Sequence, residues 1–87
     1  MTSIEQAAQD TWNSSAFLFG DTPLSYDSGI AKAWRNLYVN QQTNMPPPTT
    51  REFTSVDWSG NSIIVQFFGT VRCEWYQGQP RWYKTGP

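Results

Sequence analysis

One cysteine, Cys73, and seven carboxylates are the residues of this chain that could carry a reaction, and it has no histidine to assist them. A thiol becomes a nucleophile only when a neighbouring base or cation makes the thiolate. Alternation along the flanking sequence turns Cys73 inward between Val71 and Trp75, where a free cysteine is ordinary core. The missing histidine also removes the usual general base and any zinc site built from Cys and His, while a single cysteine allows no internal disulfide. A carboxylate pair can hydrolyse a glycoside, and Asp57 with Glu74, or Glu52 at the strand entry, are the candidates. No Glu sits in the kind of apolar stretch that lifts the pKa of a catalytic acid. Gly69, Gly78 and Gly86 form no phosphate-cradling pattern. The expectation is a chain that is not an enzyme and holds neither cofactor nor metal.

Aromatic surface is what the chain has in quantity: five Trp, five Phe and four Tyr. Six of these lie in the nineteen residues QFFGTVRCEWYQGQPRWYK, Gln66 to Lys84. Read as strand, this stretch turns Phe67, Val71, Cys73, Trp75 and Trp82 in, and Phe68, Arg72, Glu74, Tyr76, Arg81 and Tyr83 out. The outward set suits a sugar, a peptide or a protein partner, because amphipathic rings supply area while Arg and Glu fix orientation. Six Lys and Arg against seven Asp and Glu give a net charge of −1 without a basic patch, which argues against nucleic acid. Only stacking of exposed aromatics on single-stranded bases speaks for it. No segment approaches a membrane span. The start MTSIEQAAQD has neither the basic residues nor the apolar run of a signal peptide. A soluble chain is expected, cytoplasmic unless a leader was removed before Met1.

The elements that must position these residues follow from periodicity. At 87 residues the chain is a single small domain, so its stability must rest on a few large side chains. Residues 1–40 read as helical. Ser3-Ile4-Glu5-Gln6 has the form of a capping box, and Ile4, Ala8 and Trp12 recur on one helical face until Asn13-Ser14-Ser15 ends it. AFLFGDTPLSYDSG then reads as a loop anchored by Phe17, Leu18, Phe19 and Leu24. Ile30, Ala33, Trp34, Leu37 and Tyr38 mark a second amphipathic helix, capped by Asp27 or Ser28. Residues 41–50 form a Pro-rich connector, extended because consecutive prolines lack amide donors.

Residues 51–85 read as a three-stranded antiparallel meander, which makes the fold α+β. From Ile63 to Tyr76 the alternation is unbroken. Such a run would span about 40 Å, longer than the roughly 25–30 Å across a domain of this size. The central strand is therefore predicted to bend at Gly69. A turn at Gly60-Asn61 sets Trp58 against Ile63, Val56 against Val65 and Thr54 against Phe67. A turn at Gly78-Gln79 sets Trp75 against Trp82, Tyr76 against Arg81 and Glu74 against Tyr83, with Pro80 on an edge strand. The Ile30–Tyr38 helix closes the apolar face. The mixed face is left either open or covered by the first helix.

Three spaced elements, Ile30-x-x-x-Trp34-x-x-Leu37, Met45-Pro46-Pro47-Pro48-Thr49-Thr50-Arg51-Glu52 and Gln66-Phe67-Phe68-Gly69-Thr70-Val71-Arg72-Cys73-Glu74-Trp75, together resemble an LGFP-type repeat over about residues 30–75. The resemblance implies a non-catalytic module of exported, cell-wall-associated bacterial proteins, which would place the chain at the envelope. Two readings stand side by side. One is a binding module, for cell-wall glycan, that uses the aromatic and Arg/Glu face. The other is a small phage or accessory-gene adaptor or inhibitor that docks on a protein partner through the same face.

Overall fold

The computed structural model describes residues 3–40 and 45–85. Two helices precede a four-stranded antiparallel sheet in the order β1-β2-β3-β4. Helix α1 spans Ile4–Asn13, and its cap is half of the expected box: the Ser3 hydroxyl accepts from the Gln6 amide, while the Gln6 side chain donates forward to Asp10. Ala8 and Trp12 are buried, whereas Ile4, one turn earlier, is half exposed. A 3-10 turn, Ala16–Phe19, follows. Phe17 and Leu18 are not the anchors expected there, since both stand in solvent; of that segment's expected anchors, Leu24 packs on the core. Helix α2 spans Gly29–Asn40 and buries Ile30, Ala31 and Trp34. Ser28 is its cap, accepting the Ala31 amide at 3.1 Å. Among the described residues no helix is long and apolar enough to cross a membrane.

The expected long bent strand is two strands. β2 (Ser62–Phe68) and β3 (Val71–Tyr76) pair antiparallel with Phe68 opposite Val71, so Gly69-Thr70 is a tight reversal rather than a bend. Gly69 has φ +65°, which suits the first central position of a type II′ hairpin turn and is costly for other residues. With β1 (Phe53–Val56) and β4 (Gln79–Lys84) the sheet has four strands, not three.

A two-residue turn pairs an even-numbered residue with an odd-numbered one. The side-chain parity of β2 is therefore the reverse of the expected one: Ile64, Gln66 and Phe68 share a face with Val71, Cys73 and Trp75.

The other two turns also differ from expectation. Gln77-Gly78, both at positive φ, makes the β3–β4 turn of type I′. The register slips by two, so each side chain keeps its face and changes partner: Cys73 meets Trp82, Glu74 meets Arg81 and Arg72 meets Tyr83. The β1–β2 connection is the three-residue loop Trp58-Ser59-Gly60, with Gly60 at φ +88°. It pairs Val56 with Ser62 and Phe53 with Val65, and leaves Trp58 96% exposed instead of facing Ile63.

Both helices pack on one face of the sheet. Trp12 meets Trp34 edge-on at 5.2 Å and Phe68 at 5.9 Å, and Phe68 meets Trp82 at 5.6 Å. Each buried indole ties a loop to this cluster through its N–H, Trp12 to the Leu24 carbonyl and Trp34 to the Pro46 carbonyl. Of the 41–50 connector, residues 41–44 lie outside the described residues. The rest is docked: Met45 and Pro48 are buried, and Thr49 and Thr50 bond along the end of β2 through their hydroxyls.

Cys73 is fully buried in this core, as its alternation predicts. Burial pushes its thiol up to about 12 from an ordinary 9.0, and the carboxylates of Glu52 and Glu74 act in the same direction. A pKa higher in the folded chain than in the unfolded one stabilises fully below pH 9 and is lost as the pH climbs towards 12. Across pH 9 to 10 this thiol alone should cost stability in urea melts at a slope approaching about 1.4 kcal/mol per pH unit, and Tyr26, whose pKa burial also raises, adds to it. Cys73→Ala should flatten that slope; an unchanged slope would assign the loss to other groups.

Candidate functional site

With α1 and α2 on the same face, no helix among the described residues covers the opposite, outer face of the sheet. Strand pairing fixes its occupants in rows. Phe53, Val65, Glu74 and Arg81 run straight across all four strands, and Phe67, Arg72 and Tyr83 form the row beside them. Tyr76 lies in the row on the other side of Glu74, opposite Gln79. Five of the six expected site residues, Arg72, Glu74, Tyr76, Arg81 and Tyr83, thus share this face. Phe68 does not: it is 0% exposed on the helix side, and Phe67 takes its place because the Gly69-Thr70 turn reverses parity.

Ion pairs and rings give the face its order. The Arg72 Nε donates to Glu74 Oε2 at 2.9 Å, and the Arg81 guanidinium lies 3.9 Å from both Glu74 and Asp57. Four charges of alternating sign therefore cross the sheet with no net charge. Arg72 also stands over the Phe67 ring at 5.7 Å, and Phe67 stacks on Phe53 with 21° between the planes. These contacts hold the Arg72 guanidinium in a set orientation, which lowers the ordering cost of engaging a partner. Phe53 and Tyr83 remain 43% and 44% exposed at the two margins. Beneath them Ile63 and Val65 are buried although neither α1 nor α2 lies on that side, so the outer side chains form a thin second layer over β2.

Asp57, expected on the mixed face together with Glu74, reaches it by way of the hairpin loop. Its carboxylate accepts the Ser59 and Asn61 amides at 2.9 Å each. The bond from the Asn61 backbone is the main cause that holds its pKa below the ordinary carboxylate value, with Arg81 adding to it. A carboxylate so held is an acceptor at neutral pH, not the protonated acid that a glycosidase needs. The sequence signals for the missed residues were Asp57-Trp58-Ser59-Gly60, which spells a three-residue loop with glycine at the left-handed position, and Gly69-Thr70, which spells a II′ turn.

Comparison with known proteins finds no family whose model matches the chain, no similar curated protein and no similar solved structure.

Proposed function

We propose that the chain is a non-catalytic binding module that works through the outer sheet face, with Phe53, Phe67, Arg72, Glu74, Tyr76, Arg81 and Tyr83 as the contact set. One observation carries this reading: both helices pack on the other face, so half-exposed rings and the pre-oriented Arg72 guanidinium are left on a surface that neither helix covers. Such a mixture of aromatic and Arg side chains is the composition that concentrates binding energy in interfaces. The LGFP-type resemblance directs the reading to cell-wall glycan, with the Gln66–Trp75 motif now divided over the β2–β3 hairpin. A protein partner is the second reading, favoured by β4, which has no strand on its outer side among the described residues. An edge of that kind can accept a partner strand.

Pull-downs on insoluble peptidoglycan and from lysate separate the two. Retention on glycan that falls at least about thirtyfold in Tyr83→Ala or Arg81→Ala, with melting temperature unchanged, supports the first reading. A stoichiometric protein in the lysate eluate that the same variants lose supports the second. Retention of neither kind, or retention that survives both substitutions, removes the outer face as a site.

A further inference from the structure

A cleft of about 130 Å³ opens on the helix side of the molecule, between the loop before α2 and the residues leading into β1. Its walls are Trp12, Leu24, Ser28, Arg51, Glu52 and the buried Gln66. Gln66 is 1% exposed. Its Nε2 donates to the Thr50 carbonyl at 3.0 Å, which fixes the amide orientation and leaves Oε1 buried without a partner among the described residues. A buried acceptor is ordinarily satisfied by protein or by water. The cleft is several times the roughly 30 Å³ share of one water, so it has room for a small organic molecule.

Charge narrows the class. Extending the β1–β2 register by one residue from Phe53 opposite Val65 sets Glu52 beside Gln66. Glu52 has no ion-pair partner among the described residues, and it lies near enough to Cys73 to raise the thiol pKa. It also lines a cavity of about 70 Å³ that shares Ser28 with the cleft. Two acceptors, the Gln66 oxygen and the Glu52 carboxylate, thus stand together. Among the described residues Arg51 is the only cation on the wall, and its guanidinium lies 5.2 Å over the Phe19 ring. Trp12 and Leu24 offer apolar surface.

We infer that the cleft binds a small zwitterion of the α-amino acid class with an apolar side chain, its ammonium held by Gln66 Oε1 and Glu52 and its carboxylate by Arg51. The site is separate from the outer face, so either can fail without the other.

Titrating the whole chain with leucine, isoamylamine and 4-methylpentanoate tests this. Each is followed by the NMR shifts of the Gln66 side-chain amide and the Trp12 indole N–H. Leucine should bind saturably at millimolar concentration or below, the amine more weakly and the acid not measurably. Glu52→Gln, at an exposed position, should weaken leucine by about tenfold or more with the melting temperature unchanged. Arg51→Met should remove the preference for leucine over the amine, and Glu5→Gln on α1 should change nothing. Any other order of affinities, shifts that do not saturate, or unchanged binding in Glu52→Gln overturns the assignment and leaves the cleft to water.

Discussion

Phe68→Ala should bring the chain to the edge of unfolding, and Phe67→Ala should not. The two residues are neighbours of the same type, and only the reversal at Gly69-Thr70 separates their fates. Phe68 is fully buried and touches rings from α1 and β4. Truncating a buried Phe costs about 3–5 kcal/mol, because the cavity left behind does not close. At roughly 0.05–0.15 kcal/mol per residue, a chain of this length holds only about 4–13 kcal/mol in all. Phe67 lies on the outer face, half-buried and stacked on Phe53 at 6.1 Å. Its loss removes part of one apolar side chain and one ring contact, about 1–2 kcal/mol. Urea melts of the two variants should therefore differ by at least about 1 kcal/mol, with Phe68→Ala the weaker. The opposite ranking would restore a single bent strand and put Phe68 back on the contact face.

The elements legible in the sequence were those whose signal is local. The α2 stripe and the Ser3 cap are patterns within one helix, and both stand. The faces of β3 and β4 were legible too, since Arg72, Glu74 and Tyr76 alternate within one strand, and a two-residue slip at Gln77-Gly78 moves partners without moving faces. What failed was continuity across Gly69. Unbroken apolar alternation from Ile63 to Tyr76 is compatible both with one strand and with two strands joined by a two-residue turn. The difference between them depends on the φ of one glycine. β2 misleads further because it is buried on both faces: Ile63 and Val65 lie under the outer side chains, Gln66 and Phe68 under the helices. A doubly covered strand carries no alternation that reveals which side the helices occupy. The cleft was illegible for another reason. It joins Trp12, Glu52 and Gln66, residues that no pattern within a single element relates.

Gly29→Ala should destabilise the chain, against the rule for its position. Gly29 opens α2, where alanine is the better helix former by up to about 1 kcal/mol and also reduces the entropy of the unfolded chain. On propensity alone the substitution stabilises. The obstacle is Trp75: a Cβ at residue 29 would stand 2.6 Å from its Cζ2 and 2.7 Å from its Cη2, inside any real carbon contact. Ile64 and Pro80 stand opposite it on the two adjoining strands, so a swing of the indole gives up its packing on them. Either the first turn of α2 lifts or the ring leaves its seat, and overpacking of this kind costs about 1–3 kcal/mol. The clash outweighs the propensity gain, so a net loss of about 1–2 kcal/mol is expected in urea melts. A double-mutant cycle isolates the cause. In a Trp75→Leu background the contact is gone, and Gly29→Ala should become neutral or stabilising, a coupling of at least about 1 kcal/mol. Gly29→Ala that stabilises the unaltered chain would mean that the α2 N-terminus does not rest on Trp75. The packing of the helix layer against β3 would then have to be drawn again.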